Sequence, residues 1–431
     1  MAAEWATKPI EDCMSAIIDY RGKTPKKTSF GVSLITAKIV KGGRIETPAE
    51  FISFDDYAPW MRRGIPEAGD VVITTEAPLG EVAQLGPERV ALAQRLIALR
   101  GKPGVIDNGF LKFLMQSEDV QDQLRARSSG TTVLGIKQSE LRKVMLTLPP
   151  IPTQQAIAHI LGTLDDKIEL NRKMNETLEG IARAIFKSWF VDFDPVRAKA
   201  VGRDTGLPKE IADLFPDSFE GSELGVVPEG WTVKHLPDAI AVNPSRSLTK
   251  GAVAPYLDMG NMPTTSAHPA AWVDRSFTSG MKFINGDTLV ARITPCLENG
   301  KTAFVDFLNA GQVGWGSTEY IVLHPKPPLP PEFAYFMART DEFRNFAISN
   351  MSGTSGRQRV PVDCFDQFRT VVPAKPVAEA FGRFAYHFLT KARTNNVQSQ
   401  TLATIRDALL PKLISGQIAI KDAERFIGRA A

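Results

Sequence analysis

Phe110-Leu-Lys-Phe-Leu-Met115 followed by Ser129-Gly-Thr131 returns later in the chain as Phe333-Ala-Tyr-Phe-Met-Ala338 followed by Ser352-Gly-Thr354, both at a shift of 223 residues. Downstream the shift becomes 224: Leu148-Pro149 matches Val372-Pro373, Asn171 matches Asn395, Leu178 matches Leu402, Ile181 matches Ile405 and Ile185 matches Leu409. Upstream, Gly69-Asp-Val-Val-Ile73 matches Gly286-Asp-Thr-Leu-Val290 at a shift of 217, the difference being absorbed by loops. One long repeat of this kind means two copies of a single structural unit. Each copy has the same order: a β-rich stretch, a short helix, a Ser-Gly-Thr loop, a strand ending in proline, then a long helix. Short apolar runs bounded by Gly or Pro, at 71–75, 97–100, 288–293 and 320–323, predict the strands.

Length and composition agree with this organisation. A chain of 431 residues exceeds the roughly 250 to 300 that one hydrophobic core serves. Hydrophobic residues at 43% and charged residues at 23% are ordinary globular values and argue against long disorder and against a membrane protein. The formal charge of only +3 does not announce a nucleic-acid binder, so any such site must come from local clusters of Lys and Arg. Cys13, Cys296 and Cys364 are odd in number and lack metal or disulfide spacing, which predicts reduced thiols and a cytoplasmic location. Residues 1–10 include Glu4 and Lys8 and hold no signal-peptide core, and no later run approaches the roughly 18 to 20 apolar residues of a membrane span.

Between 153 and 190 the only helix breakers are Gly162 and Gly180. Alternating steps of four and three select Ile157, Leu161, Leu164, Ile168, Asn171, Asn175, Leu178, Ala182, Ile185 and Trp189, a sustained heptad seam. At about 1.5 Å per residue this helix would be on the order of 55 Å long, more than a small domain needs. The second copy selects Phe381, Ala385, Phe388, Ala392, Asn395, Ser399, Leu402, Arg406, Leu409 and Leu413, weaker around Ser399 and Arg406. An antiparallel pairing of the two helices would bury both seams. Asn171 and Asn395 would then either meet and fix register or face solvent. The aromatic cluster Phe186, Trp189, Phe190 and Phe193 suits either a partner surface or core packing at the helix end. Residues 192–230, with Pro195, Pro208, Pro216 and Pro228, have the composition of an irregular connector. The expected fold class is α+β: two pseudo-repeated globular domains (1–150 and 228–374), two long coiled-coil helices (151–193 and 375–418), a linker (194–227) and a C-terminal tail (419–431).

Ser128-Ser-Gly-Thr-Thr-Val-Leu-Gly-Ile-Lys137, Leu146-Thr-Leu-Pro-Pro-Ile-Pro-Thr-Gln-Gln155, Leu164-Asp-Asp-Lys-Ile-Glu-Leu-Asn171 and the ending Leu409-Leu-Pro-Lys-Leu-Ile-Ser-Gly-Gln-Ile418 resemble the specificity subunits of type I restriction-modification enzymes. Tyr20-Arg-Gly-Lys-Thr-Pro25 and the Gly-Asp strands extend the resemblance over nearly the whole chain. It implies two target recognition domains, each reading half of a split site in double-stranded DNA, separated by an antiparallel pair of long helices. Those helices would dock two modification (methyltransferase) subunits, with ATP-driven restriction subunits joining the complex. S-adenosylmethionine, Mg and ATP would then belong to the partner subunits, this chain binding no cofactor.

The residues also speak against catalysis. There is no Gly-rich cofactor loop and no Asn/Asp-Pro-Pro-Tyr motif, Asn243-Pro-Ser-Arg246 being better read as a turn. No phosphate loop appears, and the five histidines lack metal-ligand spacing. For DNA contact, basic and hydroxyl residues cluster at Arg125, Arg127, Ser128, Ser129, Thr131, Thr132 and Lys137, and again at Ser352, Thr354, Ser355, Arg357, Gln358 and Arg359. A third cluster, Arg21, Lys23, Lys26 and Lys27 with Lys38, Lys41 and Arg44, suits either DNA or a solvated surface. Arg292 and Lys301 are further candidates that could instead pair with Asp287 and Glu298. Two alternative functions are a non-catalytic coiled-coil interaction scaffold and a diverged DNA methyltransferase.

Overall fold

The computed structural model describes residues 5–20, 22, 24–130, 132–354 and 356–430, with side chains as far as Arg425. The chain divides into two compact units, Met1–Glu169 with Ser399–Ala431, and Leu170–Gln398. Each long helix, Ile151–Phe190 and Lys375–Ile414, therefore contributes part of its length to each unit. The repeat in the sequence suggested globular domain plus its own following helix; the contacts instead group each domain with part of both helices.

In the first unit, strands Met14–Asp19, Leu96–Gly101, Val71–Thr75 and Leu79–Gln84 form an antiparallel sheet in that order. Successive residues of a strand point to opposite faces, so Val71–Thr75, buried throughout, serves two cores. Val71 and Ile73 pack with Ile97, Leu99 and the helix Asn108–Gln116 on one side. Val72 and Ala98 pack with Leu34, Ile52 and Ala91 of a smaller sheet on the other. The first long helix starts behind Pro149-Pro150, with Pro152 in its first turn, where a missing N–H costs nothing. The buried Gln154 amide ties that turn to the domain, accepting from the Asp107 N–H (2.9 Å) and donating to the carbonyls of Val105 (3.1 Å) and Pro149 (2.8 Å). Beyond it, Ile157, Leu161 and Leu164 are buried with Leu402, Ile405, Leu409 and Leu413 of the second long helix, while Ile168 packs at the margin. Asp165 links the elements by ion pairs to Lys112 (2.5 Å) and Arg406 (2.7 Å). The stretch 419–431, expected to be a tail, holds a helix, Ile420–Ala430, with Ala423 in this core.

The second unit repeats the plan. Ile240–Val242, Tyr320–Pro325, Thr288–Ala291 and Thr302–Phe304 form its antiparallel sheet, beside a second sheet with a parallel pair at its centre. The aromatic cluster turns out to be core. Phe186 lies 5.0 Å from Phe333 and 5.5 Å from Phe381, and Trp189 lies 5.0 Å from Phe215, ring centre to ring centre. Phe215 comes from the segment that composition marked as an irregular connector. That segment holds the helices Asp194–Ala200 and Lys209–Ala212 and a hairpin, Phe219–Ser222 with Gly225–Pro228. Its Val196, Phe215 and Val227 are buried, and Pro195 sits in the first turn of a helix instead of breaking one.

The seam within the second unit runs antiparallel. Asn171 donates to the Asn395 carbonyl (3.3 Å) and Gln398 Oε1 (2.9 Å), whereas Asn175, one turn on, donates to the Ala392 carbonyl (3.1 Å) and Asn396 Oδ1 (2.8 Å). Asn395 donates to Asn175 Oδ1 (2.8 Å). Asn171 and Asn395 are 1% and 2% exposed, so the two asparagines meet at the seam and do not face solvent. Leu178, Ile185 and Phe388 lie half-buried along it, and Trp189 is buried at its end. In the second helix the heptad assignment is off by one at two places. Leu389 and Ile405 are the buried residues, while Phe388 and Arg406 lie half-buried beside them.

Candidate nucleic-acid interface

The two Ser-Gly-Thr loops share one construction. In the first unit Ser129 and Gly135 exchange backbone hydrogen bonds (2.8 and 2.9 Å), closing a loop whose tip carries exposed Thr132, Val133 and Leu134. In the second, Ser352 and Arg359 close the loop in the same way (3.0 and 2.9 Å), with Thr354 and Arg357 exposed on it. Comparing the closures locates the insertion that changes the repeat shift from 223 to 224: it lies inside this loop. Gly130 and Gly353 take φ of +122° and +124°. A Cβ at Gly130 would lie 2.1 Å from the Val133 carbonyl oxygen, so only glycine permits the turn.

Each loop is stitched to the strand that follows the Gly-Asp motif. Ile136 N–H donates to the Thr75 carbonyl (2.9 Å), and Val360 N–H to the Arg292 carbonyl (2.9 Å). In turn Thr75 N–H donates to the Arg95 carbonyl (2.9 Å), and Arg292 N–H to the Glu319 carbonyl (3.0 Å). The motif aspartates underlie this frame. Asp70 accepts from Glu67 N–H (2.9 Å) and pairs with Arg100 (2.8 Å); Asp287 accepts from Ile284 N–H (2.8 Å) and pairs with Arg246 (3.2 Å) and His324 (2.7 Å). Burial pushes the Asp287 carboxyl up, opposed by the Ile284 N–H and by Arg246 and His324.

The individual candidates divide into free and engaged side chains. Lys137 and Arg357 are exposed and have no ion-pair partner among the described residues, as has Lys26. Arg127 lies 3.7 Å from Glu140, Lys27 lies 2.8 Å from Glu50 and Lys41 lies 3.5 Å from Glu46. Ser128 donates to the Arg125 carbonyl (2.7 Å), and Arg125 pairs with Asp122. The Gln358 backbone is held by Thr294, its N–H donating to Oγ1 (3.0 Å). Arg359 clasps Glu319, with Nε 2.8 and 3.0 Å from the two carboxylate oxygens, and this contact raises the guanidinium pKa further. Lys301 does not pair with Asp287 or Glu298; its ammonium donates to the Met259 carbonyl (2.5 Å). The Arg292 Nε is buried without a hydrogen-bond partner among the described residues. Arg21, Lys23, Thr131 and Ser355 lie outside the described residues.

One described residue of the N-terminal stretch lies beside the first loop. Gly22, between Arg21 and Lys23, lines a hollow of about 310 Å³ together with Glu76, Gln94, Arg95, Ser129 and Lys137. The reading of the sequence missed Gln94, Arg95, Glu76 and Glu319. A signal existed, since Arg95 and Glu319 occupy matching places in the repeat at a shift of 224.

Residues 5–180 match the family model described as a type I restriction modification DNA specificity domain. The chain is 26% identical over 385 residues to the HindI specificity subunit of Haemophilus influenzae, covering 77% of this chain and 82% of that protein. It is 24% identical over 363 residues to the MjaIX specificity subunit of Methanocaldococcus jannaschii, covering 82% and 78%. In fold it resembles the crystal structure of the type I restriction-modification S subunit from M. genitalium, with a TM-score of 0.55 and 14% identity over 95% of this chain and 96% of that one. The fold is thus that of a two-domain protein joined by a coiled coil. The chain matches the specificity-domain family model over residues 5–180 and is similar in sequence, over most of its length, to specificity subunits of type I restriction enzymes.

Proposed function

We propose that this chain selects the DNA sequence on which a type I restriction-modification enzyme acts, each domain reading one half of a split site. The observation that carries the reading is the loop built twice: the same closure, stitched to the same strand, presents basic and hydroxyl residues to solvent in both units. Side chains of this kind neutralise phosphates and reach base edges. A repeated reader matches a site with two parts.

In this reading the chain is a non-catalytic recognition subunit. It docks two modification subunits, which hold S-adenosylmethionine, and joins restriction subunits that use ATP and Mg, all in the cytoplasm where the DNA lies. The buried asparagine cluster supports a spacer of fixed register. The test is methylation mapping of DNA from cells carrying this chain and its modification subunit, against a strain lacking only this chain. A split adenine-methylated motif that disappears with the chain is expected. An unchanged methylome with an active modification subunit would overturn the reading and favour an interaction scaffold.

A further inference from the structure

A guanidinium–carboxylate pair stands at the foot of each Ser-Gly loop. In the first unit Arg95 Nε lies 2.6 Å from Glu76 Oε1; in the second Arg359 Nε lies 2.8 Å from Glu319 Oε1. The pairs share one position of the frame. Glu76 and Ile293 are matching residues, bridged to the loop-closing Gly135 and Arg359 respectively, and Arg95 matches Glu319. The shared position thus holds the arginine in one copy and the carboxylate in the other, and its partner comes from a different place in each: Glu76 at the strand end, or Arg359 at the loop closure where the first copy has Gly135. A pair rebuilt with reversed charge and a different partner points to the pair itself as what the shared position requires.

The geometry indicates what it does. Glu76 takes Arg95 at Nε, and Glu319 takes Arg359 at Nε and Nη2 (2.8 Å), so in each arginine the outward N–H groups of Nη1 and Nη2 remain as a planar two-donor fork. In Arg359 a longer bond, 3.3 Å, runs from Nη1 to the Arg357 carbonyl. The side chains are 49% and 44% exposed, so the forks reach solvent while their planes are held. Such a fork matches O6 and N7 of guanine in a major groove. Arg95 also sits at φ +74°, a left-handed conformation that a long side chain adopts at a cost and that tends to persist at functional sites.

We propose that Arg95 and Arg359 are the base-reading arginines of the two domains, each oriented by a carboxylate, Glu76 or Glu319. The hollow bounded by Gln94, Arg95, Ser129 and Lys137 receives the edge of a base pair in the first half-site. The two glutamates act as positioning residues. They also repel phosphate, so they penalise any approach in which the fork does not find its base. This inference rests on the function proposed above.

The experiment uses the complete complex with its modification subunits, carrying R95A, R95K, E76Q, R359A or E319Q in this chain. It maps methylated sites and measures binding to matched and single-base-changed duplexes. R95A and R95K should each relax one position of one half-site, with discrimination falling about ten- to a hundred-fold, while the other half-site stays unchanged. R359A should do the same in the opposite half. E76Q and E319Q should lower discrimination without weakening non-specific binding, a split that a merely structural ion pair would not give. If R95A does not accumulate as folded protein, R95K and E76Q decide. An unaltered base profile at every position in the arginine variants would overturn the proposal. Failure of the unsubstituted chain to impose any motif would instead overturn the function on which it rests.

Discussion

Replacing Asn171 by leucine should destabilise the second unit, and replacing Asn395 as well should restore it. The single change removes at least two hydrogen bonds from a nearly fully buried side chain, to the Asn395 carbonyl and to Gln398 Oε1. A net hydrogen bond is worth about 0.5 to 1.5 kcal/mol. Gln398 is exposed and recovers water, so the loss lies near the low end of the sum, about 1 to 2 kcal/mol. N395L alone removes the donor to Asn175 Oδ1 and should cost about 1 kcal/mol. In the double variant two apolar side chains meet on the seam, and the groups that lose a donor are a helix carbonyl, the exposed Gln398 and the half-buried Asn175, so replacing both buried amides by apolar groups is expected to be neutral or stabilising. For a unit of this size 1 kcal/mol moves the midpoint by roughly 2 to 4 °C. Scanning calorimetry of the full chain should therefore show the transition of this unit lowered by about 2 to 8 °C in N171L and returned to at least its original position in the double variant. Additive losses in the double variant, or no change in either single one, would refute the argument that these amides are paired across the seam.

Tyr335 is fully buried and donates to the Glu179 carboxylate at 2.6 Å, so Y335F removes a charge-assisted bond and should cost about 1.5 to 3 kcal/mol in urea unfolding. Arg357→Ala should weaken binding about equally for specific and unrelated duplexes and reduce the slope of log K against log salt by about one, as loss of one phosphate contact does; a change confined to one base position would contradict this. Burial pushes the Cys364 thiol up to about 11, with the neighbouring Asp363 adding to the shift. The thiolate is the reactive form, so peptide-mapped alkylation of Cys364 should stay slow near pH 8 and accelerate as pH rises towards that value.

Sequence alone determined what depends on local period and on self-comparison. The duplication, the two long helices and most of their seams could be read because a helix repeats every 3.6 residues and its buried face marks the chain at fixed steps. The same comparison put Asn171 opposite its copy in the repeat, but not whether the two side chains would meet. Tertiary structure alone decided that, along with the burial of Phe215 and Val196 in a segment whose prolines read as a linker. It also decided the ion pairs Arg95–Glu76 and Arg359–Glu319, whose members come from different strands and loops and are brought together only by sheet register. Periodicity records which face of an element is buried; it carries no information about which distant side chain completes a charge. Burial across a fold and pairing across a sheet are long-range events, and there the chemistry of the candidate interface is set.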